Sequence, residues 1–342
     1  MEISNNSNKT RYLWVDNIKF VACILVVLGH FYMSMVSAKI LPDNALYNII
    51  IQAVYTFHVP LFFVCSGFLY QKSNKVHSLK AWQHNVSDKL LNLGVPYFTF
   101  SIITLLLKAV FSDYVNTEAG NFFNSLFINP ISPYWYLYIL FFFFLLIPCV
   151  NSKKQANTLL IAAIILKIVN IAIHDLGYHL PYIFSLTSKF IWFAIGMWLA
   201  VNEINCNIKR KKIFMIISFI TAALLSIYFF RQYTNNETIK SVIGILFIIA
   251  ILICSHVTDI KYINNISFKF SEYFMPVFLM HTISAATVRS LLVKLGITNS
   301  IMHILFGIIA SFLLPVLVYM IAKNLRPLLF FFYPKKAINK KK

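Results

Sequence analysis

Long apolar runs separated by short polar stretches dominate this sequence, and ten of them have the length and composition of a membrane-crossing helix. A span takes roughly 17–25 predominantly apolar residues, because the hydrocarbon layer is about 30 Å thick. The runs lie near residues 14–36, 47–70, 90–111, 132–150, 157–174, 181–201, 212–230, 239–256, 271–291 and 300–322, with the fifth and eighth expected to be short. No internal repeat is visible, and the longest gaps, 71–89 and 112–131, are loop-sized. The expected fold is therefore all-α: a polytopic membrane protein of about ten transmembrane helices with both termini cytoplasmic. The chain divides into a cytoplasmic N-terminal segment, 1–12, one transmembrane domain, 13–325, and a basic cytoplasmic tail, 326–342. Function must lie inside the membrane or at its two faces.

Composition supports this. Of 342 residues, 59% are hydrophobic and only 12% charged, against about 25% charged in soluble domains. The net charge of +19 would suggest nucleic acid in a soluble protein, so the location of the charge decides its meaning. With the N-terminus inside, 21 of the 30 Lys and Arg fall in inner loops and termini, including Lys9, Arg11, Lys72, Lys75, Lys80, Lys89, Lys261, Lys269 and the tail. Four (Lys39, Arg231, Lys240, Lys294) fall outside, and Lys19, Lys108, Lys167, Lys189 and Arg289 sit within or near span ends. This is the positive-inside pattern, with the tail PKKAINKKK read as an anchor at anionic lipid. Nucleic acid is rejected as a partner.

The small-residue stretch Val36-Ser37-Ala38 imitates a signal cleavage site, but the apolar run before it is too long and carries Asp16, Lys19 and His30. An uncleaved first span is expected. Cys23, Cys65, Cys149, Cys206 and Cys254 make no C-x-x-C and no outer-face pair, so neither a disulfide framework nor a cysteine metal site is implied.

Polar groups within spans are expensive and mark candidate sites. In VDNIKFVACILVVLGH of the first span, Asp16 and Lys19 are three apart and can pair on one helix face. Lys19 and His30, eleven apart, share a face about 16 Å apart along the axis. The pair is also explained by snorkelling at the inner interface. In the second span, YTFHVPLFFVCSGFLY sets His58 near mid-depth beside Pro60, with Ser66-Gly67 as a close-packing patch further in; a structural kink is an equal explanation. His281 lies near the middle of the ninth span, five residues after Pro276, and Trp135 opens the fourth span at the outer interface. Three histidines at similar depth on three spans point to an enzyme, a proton-coupled carrier, or a haem or metal site, since imidazole serves all three. No paired-histidine spacing suits haem, and too few buried acids accompany the histidines for zinc, so no metal is expected.

At these residues the sequence resembles the acyltransferase-3 family of integral-membrane O-acyltransferases. Its opening pattern is an aspartate, a basic residue three positions on, and a stretch ending in V-x-L-x-H, which here is Asp16, Lys19 and LVVLGH ending at His30. The family often has Arg where this chain has Lys19. FHVPLFFVCSGFLY resembles its F-H-x-P-L-F-F-x-x-S-G-F block, and DKLLNLGVPYF its basic segment before a proline-headed third span, with Lys89 kept and Asn92 where a second cation is common. PYWYLYIL and FLMHTI resemble later blocks, and the L-I-P ending of the fourth span is similar to surface polysaccharide O-acyltransferases. The likeness runs from about residue 12 to about 325.

The resemblance implies acetyl-CoA (acyl-CoA) as a co-substrate from the cytoplasm, with no bound cofactor, and a hydroxyl of a cell-surface or lipid-linked carbohydrate as acceptor. A multi-pass protein of the cell membrane, expected to be a bacterial cytoplasmic membrane, follows, with lipid as its surroundings and room for a homo-oligomer. His30, Lys19, Asp16 and His58 are the expected catalytic group; Lys72, Lys89, Ser66, Trp135 and His281 are the expected substrate- and CoA-binding residues. An alcohol attacking a thioester needs a base near neutral pH, and a histidine fits. Lys19 and the inner-face lysines suit CoA phosphates, although topology alone also places cations there. The site is expected between the first, second and ninth spans, open to both faces. The alternative is a proton-coupled exporter of a small or lipid-linked substrate with His58 and His281 as its relay.

Overall fold

The computed structural model describes residues 2–4, 10–73, 76, 78–112, 120–178, 182, 185–202, 208–257 and 261–339. Lys9, Lys75, Cys206 and residues 340–342, used above, lie outside the described residues. A small antiparallel ribbon, β1 (Glu2–Ser4) with β2 (Thr10–Tyr12), pairs Ile3 with Arg11 and leads into the bundle. The helices follow in order: α1 (Leu13–Ser37), α2 (Ala45–Ser73), α3 (Leu79–Lys89), α4 (Val95–Val110), α5 (Trp135–Leu146), α6 (Lys153–Asp175) and α7 (Ser185–Val201). Then come α8 (Ile208–Phe230), α9 (Glu237–Val257), α10 (Lys261–Phe270), α11 (Phe274–Lys294), α12 (Ser300–Ala322), α13 (Arg326–Phe332) and α14 (Pro334–Asn339). The protein is an all-α, multi-pass membrane protein. Among the described residues, eight helical segments are long and apolar enough to cross a bilayer, α3 and α4 counting as one through a π turn at Leu90–Gly94.

The other two expected spans are the short ones, α5 with 12 residues and α7 with 17, whereas the fifth and eighth runs form full-length α6 and α9. Pro148 accounts for α5. It disfavours helix at the residue before it, and Ile147 is extended, with φ −102° and ψ 115°. The backbone that leaves the helix is then clamped by α2. Gln71 donates to Val150 O at 2.7 Å and accepts from Val150 N–H at 3.0 Å, and the Tyr70 hydroxyl donates to Ile147 O at 2.8 Å. The next helix starts with an N-cap at Ser152, which accepts from Gln155 N–H, while Gln155 Oε1 accepts from Asn151 N–H one residue before the cap.

Two loops expected to be plain are structured. α10 is a short helix docked on α1, with Asn17 Nδ2 donating to Asn264 Oδ1 at 2.6 Å. The basic tail folds into α13 and α14. Arg326 Nε donates to Ala337 O, the Tyr333 hydroxyl donates to Glu272 O, Lys335 pairs with Asp88, and Phe332 packs on Phe100. Residues 326–339 therefore cap the bundle as part of its fold.

α2 and α7 approach each other closely through a reciprocal glycine contact. A Cβ on Gly67 would lie 2.1 Å from Phe193 O, and one on Gly196 would lie 2.0 Å from Val64 O. Small residues let backbones touch where lipid supplies no hydrophobic drive for helices to associate. The Ser66-Gly67 patch read from the sequence is one half of this seam. Phe63, Phe143, Phe193 and Tyr136 fill the core beside it.

Candidate functional site

The three histidines read from the sequence converge. The rings of His30 (α1) and His281 (α11) are 5.3 Å apart, and Tyr55 (α2) stands beside both His30, at 5.9 Å, and His58, at 4.6 Å between ring centroids. The Tyr55 hydroxyl is 3.5 Å from His30 Nδ1, the outer limit of a hydrogen bond. His58 and His281 are each 1% exposed. Both have their Nδ1 against helix carbonyls: Val54 O at 2.7 Å for His58, Val277 O at 3.0 Å and Phe278 O at 2.8 Å for His281. A carbonyl only accepts, so Nδ1 carries the proton in both rings and Nε2 carries a lone pair. Both Nε2 atoms are buried without a hydrogen-bond partner. Each of these two nitrogens is therefore an acceptor whose lone pair is available to a donor.

A cavity of about 330 Å³ opens beside this cluster. It is lined by His30 from α1, Tyr55 and His58 from α2, Trp135 from α5, Lys167 from α6, Lys189 and Trp192 from α7, and Glu237 and Lys240 from α9. These residues come from the C-terminal halves of α1 and α6 and the N-terminal portions of the other four helices. The cavity therefore sits toward the face opposite the start of α1. The histidine cluster joins α1, α2 and α11, the first, second and ninth spans, and the cavity extends from His30 and His58 toward α5–α7 and α9. Among the described residues the lining of the cavity comes from one face only.

Of the remaining expected residues, only Trp135 lines this cavity. Asp16 takes its partner from Arg11, at 2.6 Å, and not from Lys19. Arg11 also reaches Ser271 Oγ at 2.7 Å and lies over the Phe268 ring, so this acid fastens the start of α1 to α10. Lys19 forms no ion pair among the described residues and stands about three turns below His30. Ser66 shares a hydrogen bond with the Tyr136 hydroxyl at 3.1 Å and does not line the cavity. Lys72 and Lys89 are at the other face, over the rings of Phe68 (5.8 Å) and Phe144 (3.9 Å). Trp135, read as interfacial, lines the cavity, with Lys189 Nζ 6.0 Å from its ring.

The sequence reading missed Tyr55, Trp192, Lys167, Lys189 and the Glu237–Lys240 pair (3.7 Å). Lys167 and Lys189 carried a usable signal, as cations inside apolar runs. Tyr55 carried none, because tyrosine in a span is ordinary.

The sequence matches, over residues 12–320, the family described as Acyltransferase domain, of the acyltransferase-3 type. Among curated proteins it is similar to nodulation protein NolL of Sinorhizobium fredii (strain NBRC 101917 / NGR234), with 26% identity over 236 residues that cover 67% of this chain and 61% of NolL. The chain thus spans less than two thirds of that relative's length. No solved structure matches it.

Proposed function

The chain belongs to this acyltransferase family, and from that premise we propose that it is a membrane O-acyltransferase that moves an acetyl group from acetyl-CoA to a hydroxyl of a cell-surface or lipid-linked carbohydrate. The observation that carries the reading is the convergence of His30, His58 and His281, with His30 and His58 lining a cavity that Tyr55, Trp135 and Trp192 also line.

In this reading His30 is the general base. It takes the proton of the acceptor hydroxyl as the oxygen attacks the thioester carbonyl, and CoA leaves as the thiolate. The proton held on His30 then returns to that thiolate or to water. His58, its tautomer fixed by Val54 O, offers Nε2 to a second hydroxyl of the sugar and so orients the acceptor. The Tyr55 hydroxyl, beside His30, donates to the oxyanion of the tetrahedral intermediate. His281 backs His30 from α11. Trp135 and Trp192 supply flat apolar faces against which a pyranose can stack. Lys19, Lys72 and Lys89 belong to the donor side, where CoA phosphates would arrive from the cytoplasm, with Asp16 holding the entry of α1 in place.

The test is acyl transfer by purified protein in lipid at pH 7, alongside mass spectrometry of surface glycans from cells with and without the gene. His30→Gln should lower transfer by about 10²–10⁴-fold at unchanged expression, and the gene deletion should remove an acetyl mass from a glycan. Retention of more than about a tenth of the wild-type rate by His30→Gln would remove His30 as base. Unchanged glycans would favour an exporter.

A further inference from the structure

The cavity is charged in a way that catalysis at the histidines does not require. Three lysines line it, Lys167, Lys189 and Lys240, against one acid, Glu237. Glu237 pairs with Lys240 at 3.7 Å and is also an electrostatic neighbour of Lys167 and Lys189, so one carboxylate faces three ammonium groups. Lys240 also donates to Asn235 Oδ1. Lys167 and Lys189 make no ion pair or hydrogen bond among the described residues. A cation at membrane depth is costly and usually faces a partner or a water-filled path.

Lys167 is not a snorkelling residue on a lipid-facing surface. α6 is the most lipid-exposed kind of helix, with Ile161, Ile165 and Ile168 each more than half exposed. Its buried residues are Ala156, Ala163 and Lys167, which share one stripe at spacings of seven and four. The chain thus turns its one mid-helix cation inward, to 8% exposure, and leaves isoleucines outside. Asn170 on the same helix donates to Thr187 Oγ1 of α7 at 3.2 Å, which holds the Lys167 and Lys189 turns together. Lys189 in turn faces the ring of Trp135.

We propose that Lys167 and Lys189 form an anion subsite in this cavity, so that the acceptor is an acidic carbohydrate whose carboxylate or phosphate group sits between them while its ring lies on Trp135. This rests on the acyltransferase reading and names its acceptor class. An ammonium recognises either anion as a point charge, and one charged group brought into a poorly solvated cavity with two cations gives selectivity against neutral sugars of the same shape.

The experiment uses the full-length protein in lipid nanodiscs and measures binding of four ligands by tryptophan fluorescence: glucuronate, glucose 1-phosphate, methyl glucoside and coenzyme A. At least one acidic sugar should bind about tenfold or more tightly than methyl glucoside. Lys167→Met and Lys189→Met should each shrink that preference, the double variant should abolish it, and Lys167→Arg should keep it. Equal binding of the neutral sugar, no binding of either acidic sugar, or a preference surviving in the double variant overturns the proposal. So does lysine-dependent binding of coenzyme A alone, which would assign the anion to the donor. The wild-type comparison decides even where a methionine variant fails to purify. Acyl-CoA consumption, assayed in parallel, separates the two readings. Turnover indifferent to both lysines overturns the acidic-acceptor proposal and leaves the acyltransferase reading standing. Lysine-dependent sugar binding without any turnover overturns the acyltransferase reading and with it the acceptor role, leaving only an anion-binding cavity.

Discussion

His58 and His281 hold the same posture on different helices: each ring has its Nδ1 on a carbonyl three or four residues back in its own helix and its Nε2 buried with no partner. Each helix therefore selects the tautomer of its histidine, and the free lone pair of each points away from its own backbone. Such preorganisation costs nothing further when a hydroxyl arrives.

This arrangement separates structure from function at His58. Asparagine places its amide nitrogen near the position of Nδ1, so His58→Asn should keep the bond to Val54 O while losing Nε2. Acyl transfer should fall by about 10²-fold or more with a melting temperature close to wild type. His58→Ala should lower both, since it also empties a buried site beside Pro60. Near-wild-type transfer by His58→Asn would show that Nε2 is not used.

The α2–α7 seam should be intolerant of a single methyl group. Gly67→Ala and Gly196→Ala place a carbon about 2 Å from a backbone oxygen of the facing helix, and neither backbone can retreat without opening the core. A loss of about 1–3 kcal/mol or more is expected, read as a lower melting temperature in detergent and reduced yield. Unchanged stability in both variants would mean that the helices do not touch there.

Donor entry should be legible in kinetics at Lys89. A contact to a CoA phosphate, far from the reacting carbonyl, is largely uniform binding, so Lys89→Ala should raise KM for acyl-CoA more than it lowers kcat. Lys89→Arg should recover most of the loss, because a guanidinium keeps both the charge and the stack on Phe144. Kinetics that do not change would return Lys89 to topology alone.

Orientation can be read with reporters. A fusion after Lys342 should report the cytoplasm, and an insertion at the turn around Gly296, between α11 and α12, should report the outside. An external C-terminus would place the cavity, which lies toward the face opposite the start of α1, on the cytoplasmic side.

Much of this protein was decided by local sequence. In lipid every backbone group must be satisfied within its own segment, so a long apolar run is already a helix wherever it ends up. This is why the apolar runs mark the helices, and why His30, His58 and His281 could be assigned to spans and to a common depth. The exception proves to be local as well: Pro148 stops α5 early, as its neighbour's restricted backbone requires. What no local rule supplied was which faces meet. A membrane helix is apolar toward lipid and apolar toward its neighbours, so its sequence has little of the polar and apolar sidedness that orients helices in water. The packing of α2 against α7 through Gly67 and Gly196, the capture of Asp16 by Arg11, and the inward turn of Lys167 toward Lys189 therefore came from the tertiary structure. There, contact between backbones and the cost of a buried charge choose the face that hydrophobicity leaves undetermined.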